Sequence, residues 1–518
     1  DATRNFERFF GDKYQTVKKT ILEPFEKSKS KMFDNLVSIS DELDTKIVKG
    51  MGFKKGSTKS ADLQKFGEGL LSKEDVVKKY GKDSLGDFMH ANNWFRKQYD
   101  RLLDEVNVVR ERIYPNDPTK IIPKREDYYR HFKEMQEGFG GLANLFETPA
   151  GIKPTLAGVS QFTKPKSKWL SFAQKRLGGE TEYDAVGGFI NYIRSAEYAK
   201  NVDPHINEFR NLGKFLEESS QKSGKDYNNM IEFVQDFADD LSGKTNPLDR
   251  GIQKYIPGGR KAFAAIDWLN KRVKANVILG NASSSLAQIF NVPQGIASAG
   301  EGNFLKGLGR LSTDILRESP EMAKSTFIKE RYFRGLDKFD TGILKSTKKF
   351  ATWMITALDE LGTKAIWNAH YEKALSKGIS NPIGYADDFT RKMVAGRGIG
   401  EVPLAQKSKV FQMIAPFQLE VANQWHVLGD FAKAKDGVKI AKFLVYSYLF
   451  NRVAKKIRGS DVSFDPINAI VEGVQTYQEE EDKKMGALKA GGRMAGEVLS
   501  NVPGGQTLAA MYPEFGVK

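Results

Sequence analysis

The chain of 518 residues contains no cysteine. Disulfides, thiolate zinc sites, iron–sulfur clusters and cysteine nucleophiles are therefore excluded together. Histidine is scarce as well: the chain has five, His90, His131, His205, His370 and His426, and no two lie within one helical turn of each other. That spacing leaves out HExxH-type zinc sites, which need two imidazoles on one helix face. There is no sustained alternation of apolar and polar residues and no Asn-Gly hairpin turn, so strands are not expected. A Gly-x-Ser-x-Gly nucleophile elbow is missing, as is any internal repeat of 20 to 50 residues. No stretch reads as a conventional membrane span. Phe443 to Phe450 is apolar over only eight residues, against the roughly 20 that a spanning helix needs. Asp1-Ala2-Thr3 opens no signal-peptide pattern.

Apolar residues make up 40% of the chain and aromatics 11%, enough to bury real cores, and the length suits two to four helical units. Lys plus Arg outnumber Asp plus Glu by 80 to 65, a net charge of +15. Such an excess favours polyanions, either nucleic acid or an anionic membrane surface.

The apolar residues recur at helical steps. Phe6, Phe10, Val17, Ile21, Phe25, Phe33, Leu36, Ile39, Leu43 and Ile47 form one such series, which Pro24 is expected to kink or divide. Short helices are expected over 61–71 and 73–80. A long one over 83–113 has Leu85, Phe88, Met89, Phe95, Tyr99, Leu102, Val106, Val109 and Ile113 on its buried side, and Tyr114-Pro115-Asn116-Asp117-Pro118 stops it. Helices resume over 184–241 with a break at Pro204, and seven or eight more are expected between 259 and 458. The class is all-α. The expected domains are an N-terminal helical domain 1–147, a linker-like segment 148–168, a helical connector 169–258, a central core domain 259–459 and a helical tail 460–518.

Three local patterns imitate catalytic motifs. Ser242-Gly243-Lys244-Thr245 ends like a phosphate-binding loop, but it follows a helix and Asp239-Asp240, so it reads as a helix cap and turn. Gly396-Arg397-Gly398-Ile399-Gly400 follows a helix rather than a strand and reads as a helix stop and flexible loop. Asp387-Asp388 and Asp359-Glu360 are neighbours about 100° apart on a helix, so neither pair is a dyad by itself. A carboxylate pair drawn from separate helices, as in a cell-wall hydrolase, stays open. No catalytic residue, metal ligand or cofactor is assigned, and the chain is expected not to be an enzyme.

Basic residues interleave with aromatics in two places. Phe162 to Arg176 carries Lys164, Lys168, Trp169, Lys175 and Arg176, and Phe327 to Phe350 carries Lys329, Arg331, Arg334, Lys338, Lys348 and Lys349 among Tyr332, Phe333 and Phe339. Base stacking beside phosphate pairing uses this mixture, and so does an interfacial membrane helix. Lys164, Lys168, Trp169, Lys175, Arg176, Arg331, Arg334, Lys348 and Lys349 are therefore the candidate nucleic-acid or membrane contacts. A solvated lysine-rich helix face is the plainer alternative. Residues 275–300 hold no charged side chain but carry Asn, Gln and Ser, which suits helices buried between other helices. Such a segment enters a bilayer only in an oligomer whose neighbours satisfy its polar groups.

Three stretches carry a resemblance: ANVILGNASSSLAQIFNVPQGIA from Ala275, DDFTRKMVAGRGIGEVPLAQKSKVFQMIAPFQLEVANQW from Asp387, and LSNVPGGQTLAAMYPEFG from Leu499. Together they resemble the helical regions of large bacteriophage polyvalent and internal virion (ejection) proteins, over roughly residues 260–518. The resemblance implies a protein packaged in the virion, in the capsid interior or tail channel, and delivered with the genome to assist DNA passage across the host envelope. The alternative is a static portal-, tail- or capsid-associated component. Implied partners are other virion proteins of the portal or tail, phage DNA bound without sequence preference, the host membrane after release, and further copies of the chain. The enzymatic modules often attached to that family have no signature here, and no catalytic residue carries over.

Overall fold

The computed structural model describes residues 2–124, 183–243, 291–314, 319–333, 335–339, 346–396, 398–402 and 418–458. Of these, 81% are helical and none lies in a strand.

The N-terminal residues form a nearly continuous helical rod: α1 (Ala2–Phe10), α2 (Tyr14–Val17) and α3 (Glu23–Glu42). Pro24 stands in the first turn of α3. Its ring displaces the carbonyl four residues back and it has no amide to donate. A widened π turn over Lys18–Leu22 absorbs both defects, so Pro24 divides the series rather than ending it. The buried stripe of α3 is Phe25, Met32, Phe33, Leu36 and Ile39.

Helix α4 (Thr58–Gly67) starts on the Ser57 hydroxyl, which accepts the Ser60 amide. Helix α5 (Lys73–Tyr80) starts on a reciprocal Ser72–Asp75 capping box. The long α6 (Ser84–Ile113) ends at the Tyr114-Pro115 stop and buries Phe88, Phe95, Tyr99, Leu102 and Val106. Met89, expected on that side, is 41% exposed, because it lies about 100° round the helix from Phe88. Helices α7 (Ala185–Asn201) and α8 (Asp203–Ser223) are separated at Val202, with Pro204 in the first turn of α8. After α9 (Asn228–Leu241), Ser242 caps the helix and Gly243 turns the chain with φ +82°, as the motif's setting suggests.

Residues 2–122 and 185–241 contribute to one apolar core, together with Phe333, Leu336, Phe339 and Ile399. Phe189 of α7 meets Phe95 and Tyr99 of α6, and Phe209 of α8 meets Phe6 and Phe25. Asp184 clips the two stretches together. Its carboxylate accepts the Ser60 hydroxyl at 2.7 Å and the Gly56 amide at 2.9 Å. The linker-like 148–168 segment and the 460–518 tail lie outside the described residues.

A second core is built from α10 (Val292–Ala299), α11 (Glu301–Asp314), α12 (Thr326–Arg331), α13 (Ser346–Ser376), α14 (Pro382–Met393), α15 (Gln418–Lys433) and α16 (Gly437–Arg458). Phe304, Phe327, Ile366, Trp367, Phe431 and Phe443 fill it. Helix α10 is the described part of the uncharged segment, and it is interior. Gln294 is fully buried, donating to Asn291 Oδ1 at 2.6 Å and to the Met393 carbonyl. Residues 275–290 lie outside the described residues.

The α10–α13 contact contains a pH-sensitive pair. His370 Nδ1 donates to the Ile366 carbonyl at 2.9 Å, so Nε2 accepts from Ser298 Oγ at 3.0 Å. Burial pushes His370 down from 6.5 to about 3. The native state therefore binds fewer protons than the unfolded chain between those values, and stability falls as pH drops below about 6.5. Thermal unfolding followed across pH 4 to 7 should show this loss, and His370→Gln should flatten it. An unchanged slope in the variant would remove His370 as its source.

Candidate functional site: a buried charge seam

Where the first core meets the second, α3 lies against α12 and the end of α14, and the contact joins the apolar packing of Phe333, Leu336, Phe339 and Ile399 to a cluster of buried charge. The apolar series of α3 steps from Phe25 to Phe33 through Lys29, a lysine at a core position that is 1% exposed. Its ammonium donates to Glu330 Oε2 at 2.8 Å, to the Ile399 carbonyl at 3.2 Å, and pairs with Glu26 Oε1 at 2.9 Å. Arg391 of α14 binds Glu401 through Nε at 2.7 Å and Glu26 through Nη2 at 3.0 Å. Asp388 faces Arg391 at 3.7 Å and is paired with Lys18.

The glycine run turns out to be an anion cradle for the protein's own carboxylates. The Gly398 amide donates to Glu401 Oε2 at 2.9 Å and the Ile399 amide to Glu330 Oε1 at 2.5 Å. A Cβ on Gly398 would fall on the Glu330 carboxyl group, so any side chain there would have to push that carboxylate out of the cradle. Residues 398–401 are buried, so the expected flexible loop is interior, fixed by the carboxylates it holds. Burial raises Glu330 to about 7 against the pull of Lys29. Burial also pushes Glu401 up, but Arg391, Lys29 and the Gly398 amide outweigh it and hold the group at about 2.

Further ties extend the seam. Arg4 donates to Asp430 and Asn423, each at 2.8 Å, and to the Lys392 carbonyl at 2.6 Å. Lys392 pairs with Glu7 at 2.7 Å. The expected basic–aromatic contact run packs here as well. Lys329 pairs with Asp34 at 2.7 Å, Lys338 with Asp41, and Phe333 lies 4.9 Å from Phe33 between ring centres.

Arg331, read from the sequence as a surface contact, is interior: its side chain is 4% exposed. It grips Asp359 with Nε at 3.1 Å and Nη2 at 2.9 Å, while Nη1 donates to the Ala395 carbonyl at 2.8 Å. Such a guanidinium has no face left for a phosphate. Lys348 and Lys349 stand in the first turn of α13. Lys164, Lys168, Trp169, Lys175, Arg176 and Arg334 lie outside the described residues.

The adjacent carboxylates diverge as their helical offset requires. Asp387 accepts the Trp367 indole N–H at 2.7 Å, the Thr326 amide at 3.0 Å and the Ser325 hydroxyl, securing the start of α12, while Asp388 turns to the seam. Asp359 holds Arg331, whereas Glu360 pairs with Lys364. Among the described residues no group of three or more metal-binding side chains comes together, and no helix is long and apolar enough to cross a membrane.

A cavity of about 50 Å³ opens beside the seam, lined by Tyr14, Lys18, Glu26, Asp388, Arg391 and Glu401 among others. It has room for a few water molecules and falls well below the roughly 300 Å³ of an ordinary ligand pocket. No family model, curated protein or solved structure matches the chain. The seam could not be read from spacing, since Lys29 and Glu330 are 301 residues apart. The available signal was a lysine at the i+4 step between Phe25 and Phe33.

Proposed function

We propose that the chain is an internal virion protein of a bacteriophage, packed with the genome and delivered with it, where it assists DNA passage across the host envelope. The observation that carries this reading is the charge-built seam. Buried ion pairs add little net stability over apolar packing yet specify one arrangement strongly, because a mispaired charge is costly. A protein that must come apart to pass a tail channel and then find the same fold again is served by that balance. The absence of cysteine leaves no disulfide to block threading. The net charge of +15 suits contact with packaged DNA, through counterion release rather than base readout.

Mass spectrometry of purified particles, before and after triggered genome release, tests this directly. The chain should be present in full particles and depleted from emptied ones. Retention at equal copy number in emptied particles would instead identify a static portal-, tail- or capsid-associated component.

A further inference from the structure

Lys29 shows how the seam holds an ammonium ion. Its nitrogen pairs with Glu26 at 2.9 Å and Glu330 at 2.8 Å, and stands 5.0 Å from the centre of the Phe25 ring. Carboxylates bind a primary ammonium through charge-assisted hydrogen bonds, and an aromatic face attracts it through the ring quadrupole.

The cavity beside the seam offers both a second time. Glu23, Glu26, Asp388 and Glu401 line it against Lys18 and Arg391, four carboxylates to two cations, while Phe6, Phe25 and Phe237 supply apolar walls. Lys29 and Glu330 pair with each other, so counting them leaves the same excess. Two polar groups of the lining are uncommitted. Glu23, in the first turn of α3, forms no ion pair or hydrogen bond among the described residues. Tyr14 is 6% exposed, and its hydroxyl has no hydrogen-bond partner among the described residues. Burial and the charges of Asp388, Glu7 and Glu23 outweigh Arg391 and push the Tyr14 hydroxyl above its ordinary value, so it stays protonated. Asp388, Glu23 and Arg391 all line the cavity, which places the hydroxyl end of Tyr14 toward that space. Its oxygen keeps lone pairs for a donor.

We propose that this cavity is a binding site for a small primary ammonium, whose N–H groups donate to the Glu23 carboxylate and the Tyr14 hydroxyl oxygen. The volume of about 50 Å³ admits a cation the size of methylammonium. An anion is repelled by the excess of carboxylates. A divalent metal fits poorly, because among the described residues no three metal-binding side chains come together. Water fills the space without answering the charge. The lining comes from α1, α2, α3 and α9 on one side and from α14 and the glycine loop on the other, so an occupant ties the first core to the second.

Saturation-transfer NMR on the full chain tests this, with methylammonium chloride as the probe. Each aliquot replaces an equal amount of tetramethylammonium chloride, which has no N–H donor and is too large for the cavity. The parent chain should give a saturable signal with a dissociation constant on the order of 10 mM, near the limit for two non-hydrogen atoms. Glu23→Gln should weaken binding about tenfold, the loss of a charge-assisted hydrogen bond, and Tyr14→Phe about threefold. Circular dichroism checks the fold of each variant. A signal in the parent chain that does not saturate, or an affinity unchanged by Glu23→Gln, would overturn the site. Should Glu23→Gln fail to fold, Tyr14→Phe decides: an unchanged affinity in that variant overturns it. Failure here leaves the delivery reading untouched, since neither the cavity nor the probe enters it.

Discussion

Lys29→Met is expected to destabilise the chain by about 3–5 kcal/mol at pH 8, the usual cost of leaving a buried ion pair with one partner. Methionine fills much of the same volume, so the loss measures the stranded carboxylate of Glu330 rather than a cavity, Glu26 keeping Arg391. The cost should shrink at pH 6, where Glu330 relieves the imbalance by taking up a proton. Denaturant unfolding at the two pH values measures both quantities. A cost below about 1 kcal/mol at pH 8, the range of a surface pair, would mean that water reaches the seam.

Gly307→Ala should be destabilising even though alanine is the better helix former by about 1 kcal/mol. Helix α11 crosses α13 at this point, and a Cβ on Gly307 would stand 2.6 Å from the Ala369 nitrogen and 2.9 Å from its Cα. Those are backbone atoms in the middle of a helix, so relief requires α11 and α13 to separate. The expected net loss is about 1–3 kcal/mol, as for other overpacked contacts. A Cβ on Gly309, two residues on, would meet nothing within 4 Å, so Gly309→Ala should stabilise by roughly 0.5–1 kcal/mol. Opposite signs for one substitution on one helix are the result to look for. Equal effects would place the crossing elsewhere.

The helices were legible because each is written in local spacing. The α3 stripe, the stop at Tyr114-Pro115, the break at Pro204 and the cap at Ser242 each need only a few neighbouring residues to be read. Met89 shows the limit of that method, since an apolar residue beside Phe88 satisfies composition without lying on the buried arc. What joins distant parts was not legible. The common core of residues 2–122 and 185–241 depends on contacts such as Phe95 with Phe189, which no periodicity announces. Arg331 looked like a surface base because its partner, Asp359, comes from another helix. The glycine run departs visibly from phosphate-loop context, but its ligands, Glu330 and Glu401, are visible only in the folded chain.

That the seam sets the arrangement of the two cores more than it stabilises them is tested most directly by a double-mutant cycle on Lys29 and Glu330. Unfolding free energies are measured at pH 8 for the parent chain, Lys29→Met, Glu330→Met and the double variant. If the buried pair is mainly a specificity device, the double variant should recover most of the loss of Lys29→Met and approach or exceed the parent stability, as apolar replacements of buried ion pairs often do. A double variant as unstable as the sum of the two single changes would contradict this, and would make the pair a stabilising bond in its own right.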